Sequence, residues 1–405
     1  MSGAGRRRVA LFGATGSIGG STLQVIAERE AEFEIAALAA GRNVGALAEL
    51  AARWRPRALG IGGAELIPQL RAELAARNVR PEPEIAAGAA GLRELAAGLD
   101  YDVLLLATVG VPGLAAAEAA LARGKTLALA NKEALVAAGR ILLRAAAQGG
   151  GTILPVDSEH SAIHQCLRAG QRGEVERLIL TASGGPFLDW TEAQLRAATP
   201  ADALRHPTWR MGRRITTDSA TLMNKGFELI EACHLFALDE SNVEVLIHPQ
   251  SIVHSLVAYR DGSVMAQLGT ADMRTPIQYA LTYPAREATK REKLDLAAVA
   301  RLEFRRADEG RLRALRLARQ AWRAGGAAGA VLNAADEVAV EAFHAGQLSF
   351  LDISAVVEDV LGSWQHLKMD ELADAQAADA AARRAAQERV KARAERRGAD
   401  ARAAR

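Results

Sequence analysis

Short apolar runs alternate with Ala- and Leu-rich segments over the first 150 residues of the chain. The runs have the length and β-branched content of buried strands, and the segments between them are long enough for helices. Strands separated by helices predict βαβ units and a mostly parallel sheet. The predicted strands are residues 9–12, 34–38, 58–61, 103–107 and 126–130, and the predicted helices are residues 21–30, 44–53, 65–77, 113–123 and 140–148.

The pattern changes after Gly150, where strand-like runs mix with helices and polar clusters stand at the strand ends. This mixture predicts an α+β second domain, whose strands would be residues 152–156, 177–181, 244–247, 255–259 and 264–267. A charged, poorly periodic stretch then precedes three helical segments at residues 312–322, 334–343 and 353–361. We predict domains at residues 1–150 and 151–286, a linker at 287–311, a small helical bundle at 312–390 and a disordered tail at 391–405.

Composition narrows the class of protein. A chain of 405 residues exceeds the size at which one core keeps growing, so two or three domains are expected. The net charge of +2 gives no global field that would recruit nucleic acid or a membrane. The N-terminal arginines precede no apolar segment of a signal peptide, and no uninterrupted apolar run approaches the ~20 residues of a spanning helix. We therefore expect a cytoplasmic protein with no nucleic-acid or membrane partner, in which Cys166 and Cys233 form no disulfide framework.

A glycine-rich turn follows the first predicted strand. Gly13, Gly16 and Gly19 have the spacing G-x-x-G-x-x-G, and a helix is predicted after them. Glycines permit a tight turn, and the helix N-terminus offers free N–H groups to a pyrophosphate. A purely structural turn is the alternative, but the strand and helix context favours a dinucleotide site.

The end of the second predicted strand indicates which dinucleotide binds. An acidic residue at this position would bind the 2′-hydroxyl of NAD, but the chain has Gly41, Arg42 and Asn43 here. A guanidinium suits a 2′-phosphate and therefore NADP. A solvated surface arginine is the alternative.

Two carboxylates follow the predicted strand at residues 152–156. Asp157 and Glu159 are two residues apart, so on extended backbone they project to the same side. Convergent carboxylates suit a hard cation such as Mg²⁺ or Mn²⁺. A turn with a helix N-cap explains the same residues equally well.

Asn-Lys pairs are a second chemical signal. The chain has only six Asn and seven Lys, yet the two types are adjacent at Asn131-Lys132 and at Asn224-Lys225. On a helix, Asn224 would share a face with Glu228 and Glu231, which an ordinary amphipathic helix would also do.

A third polar cluster begins with Ser183, which Gly184 and Gly185 follow. Serine hydroxyls and glycine amides make a phosphate cradle, and a plain turn is the alternative.

Taken together, these motifs resemble the 1-deoxy-D-xylulose 5-phosphate reductoisomerase family over residues 8–390. The motifs are long, and they occur together and in order. They are G-A-T-G-S-I-G at residues 13–19, A-N-K-E at 130–133, P-V-D-S-E-H at 155–160, S-G-G-P-F at 183–187, H-P-T-W at 206–209, S-A-T-L-M-N-K-G-F-E at 219–228, I-H-P-Q-S at 247–251 and D-M-R-T-P at 272–276.

The resemblance implies an α/β protein with an N-terminal Rossmann-like NADPH-binding domain, a central α+β catalytic domain and a C-terminal helical bundle. It implies a homodimer that rearranges and reduces a phosphosugar with NADPH and Mg²⁺ or Mn²⁺. The implied metal ligands are Asp157, Glu159 and Glu228, and the implied catalytic residues are Lys132, Glu159 and His206. The implied substrate contacts are Lys132, Ser158, Glu159, Ser183, His206, Trp209, Ser219, Asn224, Lys225 and Glu228, and the implied cofactor contacts are Thr15, Gly16, Ser17, Ile18, Gly41, Arg42, Asn43, Asn131, Glu133 and Gly212.

The resemblance also implies a mobile lid at residues 198–212, with Trp209 and Met211 set among polar neighbours. The chain departs from the family at Arg210, where the family usually has a small serine, and at residues 304–312, which are unusually basic. Neither departure falls on an implied metal or phosphate residue.

Two rival classes fit less well. A short-chain dehydrogenase would need Tyr-x-x-x-Lys, and none of the four tyrosines has a lysine four residues later. An NADP-sensing nucleic-acid-binding regulator would use the Arg-rich tail, but no helix-turn-helix or zinc pattern supports it.

Overall fold

The computed structural model describes residues 5–108, 110–209, 211–308, 310, 313–364 and 367–403. The chain forms two compact units. The first unit comprises residues 1–135, 139–161 and 272–291, and the second comprises residues 136–138, 162–271 and 292–405.

A seven-stranded parallel sheet forms the centre of the first unit, with the strand order β4-β3-β2-β1-β5-β6-β7. Its inner strands are buried on both faces, which explains why they are continuous apolar runs in the sequence. The strands are β1 (Arg7–Phe12), β2 (Phe33–Ala39), β3 (Ala58–Ile61), β4 (Glu84–Ala87), β5 (Val103–Leu106), β6 (Thr126–Leu129) and β7 (Thr152–Pro155), and the helices in this part of the chain are α1 (Ser17–Ala27), α2 (Val44–Trp54), α3 (Ile67–Ala76), α4 (Gly88–Gly98), α5 (Leu114–Ala122), α6 (Lys132–Gly149) and α7 (Ser158–Cys166).

The strand order reverses at β1, which pairs with β2 on one side and β5 on the other. Loops at the carboxyl ends of the strands diverge at such a point and leave room for a ligand. The glycine-rich turn that follows β1 therefore lies at the switch point of the sheet.

The second unit contains a five-stranded mixed sheet with the order β11-β10-β8-β9-β12. Its strands are β8 (Val175–Ala182), β9 (Val243–Ile247), β10 (Val253–Tyr259), β11 (Val264–Leu268) and β12 (Arg305–Arg306). The remaining helices are α8 (Glu192–Arg196), α9 (Pro200–Ala203), α10 (Arg213–Thr221), α11 (Met223–Phe236), α12 (Arg274–Thr282), α13 (Leu296–Val299), α14 (Ala314–Ala324), α15 (Ala328–His344), α16 (Phe350–Gly362) and α17 (Leu372–Ala403). Of these, α12 belongs to the first unit.

The predicted α/β fold class is confirmed, but the predicted boundaries are partly wrong. β7 pairs with β6, so residues 152–155 complete the first sheet rather than begin the second domain. α12 also returns to the first unit, where the Arg7 guanidinium donates to the Leu281 carbonyl at 2.6 Å. The predicted C-terminal helical domain is confirmed, and its helices share one continuous apolar core with the second sheet. The predicted linker likewise includes β12, which pairs with β9.

The predicted disordered tail is also wrong, because residues 391–403 continue α17. Ala, Arg and Glu are strong helix formers, and small buried side chains seat the preceding turns of the helix. Near its end, Arg393 pairs with Asp359 at 2.8 Å and with Asp352 at 3.3 Å. Among the described residues, no helix has the length and apolar content to cross a membrane.

Candidate active site

The glycine-rich turn of the first unit needs glycine for steric reasons. A Cβ at Gly13, whose φ is +95°, would lie 2.4 Å from the Ala107 carbonyl oxygen. A Cβ at Gly19 would lie 2.3 Å from the Gly13 carbonyl oxygen. Gly16 and Ser17 are exposed where α1 begins, and the first turn of α1 has no acidic residue. This geometry leaves backbone N–H groups available to a phosphate.

Arg42 follows β2 and is 79% exposed, with its Nη1 3.5 Å from Glu65 Oε1. An exposed pair of this kind contributes little to folding, so the guanidinium is available to a ligand phosphate. The neighbouring Asn43 has a structural task, because its side chain accepts from the Ala46 N–H and caps α2.

Asn131 is buried and caps the next helix of the unit, α6. Its side-chain oxygen accepts from the Ala134 N–H at 3.1 Å, and its amide donates to the Gly110 carbonyl at 3.0 Å. The Asn-Lys signal at this position is therefore explained in part by capping, and the cap fixes the backbone from which Lys132 projects.

A buried ion pair joins Lys132 to the segment after β7. Lys132 Nζ lies 2.7 Å from Asp157 Oδ2, and His160 Nδ1 lies 3.7 Å from Asp157 Oδ1. Burial alone would raise the pKa of Asp157, but the Lys132 ammonium and His160 hold that pKa well below its usual range. Asp157 therefore remains a carboxylate, as a cation ligand must.

Glu159 lies beside this ion pair within the first unit. Its backbone N–H donates to Asp157 Oδ1 at 3.3 Å, and its carboxylate accepts from the Ser158 hydroxyl at 2.6 Å. Asp157, Ser158 and Glu159, which the sequence predicted as one cluster, thus interact directly. Oxygen donors with one strongly ionised carboxylate suit a hard divalent cation.

In the second unit, α11 places two predicted site residues, Asn224 and Lys225, around the carboxylate of a third, Glu228. Glu228 is 1% exposed, its Oε1 accepts from the Asn224 amide at 2.6 Å, and its Oε2 is paired with the Lys225 ammonium. The helical spacing of three and four residues brings these groups together. Asn224 and Lys225 both contact Glu228 here, so they must turn to reach a phosphate.

Ser183 ends β8 and is oriented by two donors. The Gly185 N–H donates to its Oγ at 3.1 Å, and His206 Nε2 lies 3.0 Å from the same oxygen. His206 Nδ1 accepts from the N–H groups of Thr208 and Trp209, so the ring proton lies on Nε2 and is donated to Ser183. The hydroxyl proton of Ser183 is then free to be donated to an anion.

The turn after Ser183 also packs against Ser219. Gly184 and Gly185 both have positive φ, and a Cβ at Gly185 would lie 2.7 Å from the Ser219 carbonyl oxygen. Only glycine allows this approach, so two predicted phosphate contacts from separate elements lie in one region of the second unit.

The predicted lid contains one short helix, α9, which Thr199 caps and Pro200 begins. Trp209 is half-buried, with its ring centroid 6.4 Å from that of His254. Gly212 immediately precedes α10. Arg210, the departure noted in the sequence, lies outside the described residues.

Other parts of the recognised motifs are structural. His248 is buried, its Nδ1 lies 2.7 Å from the Glu303 carbonyl, and its Nε2 accepts from two backbone N–H groups. The sequence also gave no sign of Arg214, which forms ion pairs with acidic residues of α15. A basic residue in an Arg-rich chain carries no signal by itself, and its partners are more than 100 residues away.

Three family models match the chain. The model described as 1-deoxy-D-xylulose 5-phosphate reductoisomerase matches residues 9–139. Two models for C-terminal domains of the same enzyme match residues 153–236 and 268–385.

Individual relatives match over almost the whole length. The 1-deoxy-D-xylulose 5-phosphate reductoisomerase of Rhodospirillum centenum is 49% identical, over 96% of this chain and 95% of its own length. That of Moorella thermoacetica is 51% identical, over 94% and 97% respectively. The structure of the Zymomonas mobilis enzyme in complex with NADPH matches with a TM-score of 0.89 and 44% identity, covering 95% of this chain and 99% of that one. A structure of the same type of enzyme with NADPH, fosmidomycin and magnesium matches with a TM-score of 0.88 and 40% identity, covering 95% and 98%.

Proposed function

The chain belongs to the 1-deoxy-D-xylulose 5-phosphate reductoisomerase family, and from this premise we propose a role for each predicted site residue. The protein is an NADPH-dependent enzyme that rearranges and reduces 1-deoxy-D-xylulose 5-phosphate to 2-C-methyl-D-erythritol 4-phosphate, a step of isoprenoid-precursor synthesis. The observation that carries the residue assignment is the pair of buried, charge-compensated carboxylates at Asp157 and Glu228.

Asp157, Glu159 and Glu228 are the proposed ligands of the divalent cation. Each is a hard oxygen donor, and Lys132 and Lys225 pair with two of them, Asp157 and Glu228. When bound, the cation would polarise the ketone and an adjacent hydroxyl and stabilise oxyanions. These carboxylates would fix its position, and with it the orientation of the reacting carbons.

Ser183, Ser219, Asn224 and Lys225 are proposed to bind the substrate phosphate. The orienting contacts of Ser183 support this, because they leave its hydroxyl proton to be donated outward. Lys225 and Asn224 would exchange Glu228 for the phosphate when substrate and cation arrive. Phosphate binding would then supply energy remote from the reacting carbons for orientation and lid closure.

The proposed catalytic residues are Lys132, Glu159 and His206. The Lys132 ammonium stands 2.7 Å from a proposed metal ligand, where it would donate a hydrogen bond to a substrate oxygen. Glu159 would orient the substrate hydroxyls together with Ser158. His206 would hold the phosphate-binding serine, and Trp209 would exclude water when the lid closes.

We propose NADPH contacts in the loops that follow β1 and β2, next to the switch point of the first sheet. Thr15, Gly16, Ser17 and Ile18 would bind the pyrophosphate at the start of α1, and Arg42 would bind the 2′-phosphate. The other proposed contacts are Gly41, Asn43, Asn131, Glu133 and Gly212.

Two further parts of the proposal concern the whole protein. We propose a homodimer that acts in the cytoplasm, where NADPH is supplied. Light scattering coupled to size exclusion tests the first part, because a dimer has twice the chain mass of 42.9 kDa. A monomeric mass at working concentration would contradict it.

The function is tested by recording NADPH absorbance at 340 nm after addition of 1-deoxy-D-xylulose 5-phosphate in the presence of Mg²⁺ or Mn²⁺. NADPH oxidation that requires both metal and substrate, with 2-C-methyl-D-erythritol 4-phosphate identified by mass spectrometry and NMR, is the expected result. Oxidation that persists after chelation of all divalent metal would contradict the proposed role of the carboxylates.

A further inference from the structure

Arg214 joins the segment that carries the proposed phosphate ligands to the C-terminal helices of the same unit. It lies in the first turn of α10, the helix that also carries Ser219, and its side chain is 18% exposed. Its Nη2 donates to Asn333 Oδ1 at 2.7 Å, and its Nη1 lies 3.1 Å from Glu337 Oε2. Both partners belong to α15, so one guanidinium fixes α10 against that helix.

The same guanidinium is close to both helices of the proposed phosphate site. Its Nε lies 3.6 Å from Asp218 Oδ2, and Asp218 directly precedes Ser219. Its Cζ lies 5.8 Å from the ring centroid of Phe227, which directly precedes Glu228 on α11. Arg214 therefore contacts the neighbour of a proposed phosphate ligand on one helix and the neighbour of a proposed metal ligand on the other.

The ion pairs around Arg214 are partly or fully buried and contain more acid than base. Asp336 of α15 has no exposed surface, and its Oδ2 lies 3.6 Å from Arg214 Nη2. Asp218 and Glu337 face the same guanidinium, while Arg383 of α17 pairs with Glu337 at 2.9 Å. Burial raises the pKa of Asp336 to about 6, although the nearby Arg214 lowers it.

We propose that Arg214 is a positioning residue for the substrate phosphate, acting on Ser219 through Asp218 and on α11 through Phe227. The proposal rests on the assignment of the phosphate to Ser219, Asn224 and Lys225. Arg214 itself contacts protein groups, and its effect on the reaction is exerted through the ligands that it holds. When Asp336 is ionised, it competes with Asp218 for the Arg214 guanidinium. The positioning effect of Arg214 therefore changes with pH.

The first test is steady-state kinetics of Arg214→Gln. We expect the KM for 1-deoxy-D-xylulose 5-phosphate to rise about tenfold, a typical size for a coupling that acts through a neighbour. The kcat should change less than about threefold, and the KM for NADPH should rise less than the KM for the substrate. The side chain of Arg214 contacts the neighbours of a proposed phosphate ligand and a proposed metal ligand, whereas the proposed cofactor contact Gly212 lies two residues earlier in the chain. Arg214→Lys should recover part of the loss, since it keeps the charge without the planar fork.

Loss of Arg214 alone leaves buried carboxylates without a counter-charge and can unfold the protein. The double variant Arg214→Gln with Asp336→Asn removes one charge of each sign and should show the same KM effect in a stable protein. Arg316→Gln is the matched control, because Arg316 is an exposed arginine of the same unit that pairs with Glu358 on the surface. It should leave all constants unchanged.

A second test compares the pH dependence of KM in the wild type and in Asp336→Asn. The substrate phosphate also titrates near pH 6, but its titration is common to both proteins. The ratio of the two KM values should therefore be constant below about pH 5 and change between pH 5 and 7.

Several outcomes would overturn the positioning role. It fails if the double variant binds substrate with the wild-type KM, or if the KM values for NADPH and substrate rise together. It also fails if the KM ratio of Asp336→Asn to wild type does not vary with pH. Ser219→Ala separates this failure from that of the phosphate assignment. If Ser219→Ala leaves the substrate KM unchanged, the assignment of the phosphate site is wrong. If Ser219→Ala raises the substrate KM but the Arg214 variants have the wild-type KM, only the positioning role of Arg214 is wrong.

Discussion

At the scale of single residues, the main feature of the candidate site is the pairing of carboxylates with lysine side chains. Asp157 and Glu228 are carboxylates in buried surroundings, where an isolated charge would be neutralised by proton uptake. Each pairs with a lysine, Asp157 with Lys132 and Glu228 with Lys225. The chain has few lysines, yet these two occur where a buried carboxylate has to be paired. A compact ammonium suits this role, because it leaves the other lone pairs of the carboxylate available.

We propose that the preference for NADPH over NADH also depends on a single residue, Arg42. Replacing Arg42 by Ala should weaken NADPH binding about tenfold to a hundredfold, since a charge-assisted phosphate contact contributes on the order of 1.5–3 kcal/mol. NADH binding should hardly change, because NADH lacks the 2′-phosphate. Fluorescence titration with both nucleotides measures the two effects, and Glu65→Gln, which removes only the surface partner of Arg42, serves as the control. Equal weakening of both nucleotides would show that Arg42 acts through packing.

At the scale of elements, we expect the lid at residues 198–212 to move during the reaction. Trp209 is half-buried in the free protein, and the hydrogen bonds of His206 form the turn before it. Trp209→Ala should lower kcat/KM by one to two orders of magnitude, because roughly 1.5–3 kcal/mol of apolar burial in the closed state is lost. The melting temperature should change little.

Limited proteolysis checks the lid independently. Trypsin should cut after Arg205 or Arg213 in the free enzyme, and a substrate analogue with NADPH should protect both sites. Equal resistance of the free enzyme and the complex would contradict lid closure.

α17 is a second element with a measurable role. Truncation after Lys391 removes Arg393 and its partly exposed pairs with Asp352 and Asp359. Such pairs contribute about 0.2–1 kcal/mol each, so the melting temperature should fall by roughly 1–4 °C while activity is retained. Arg393→Ala in the full chain should reproduce most of this loss. A fall of more than about 10 °C, or a loss of activity, would mean that the end of the helix has a further contact.

The packing of α10 on α15 should depend on pH through Asp336. Its pKa is raised from 3.8 in the unfolded chain to about 6, so its contribution to stability is complete below pH 3.8 and is lost as the pH rises through 6. Asp336→Asn should therefore melt several degrees above the wild type at pH 8 and show no such advantage at pH 4. Calorimetry at both pH values measures this, and a variant less stable than the wild type at pH 8 would contradict it.

At the scale of the whole molecule, the sequence predicted the fold class because buried parallel strands are continuous apolar runs. It indicated Asp157, Glu159 and Ser183 as candidate site residues because polar residues follow strand ends there, after β7 of the first sheet and after β8 of the second. It missed β4, whose residues Glu84–Ala87 are only partly buried, and it placed β7 in the wrong domain. Which strands pair with each other depends on contacts between residues far apart in the sequence. The local periodicity of apolar residues contains no information about such contacts.

The sequence also failed where small residues form the core. α17 buries Ala378, Ala382 and Ala386 rather than large apolar side chains, so a search for large residues missed it. The contact of the Asn131 amide with the Gly110 carbonyl and the pairing of Arg214 with α15 were hidden for a related reason, since both depend on partners outside the local segment.

We propose that Asp157, Glu159 and Glu228 bind one divalent cation. Measuring Mn²⁺ binding to the Glu228→Gln variant is the most direct test of this proposal. The substitution keeps the shape of the side chain and removes its charge, so the Mn²⁺ affinity measured by electron paramagnetic resonance should fall at least about tenfold. The affinity for NADPH should be unchanged, and Glu244→Gln, which alters an exposed glutamate of the same unit, should bind Mn²⁺ like the wild type. Wild-type Mn²⁺ affinity and a near-wild-type kcat in Glu228→Gln would contradict the assignment.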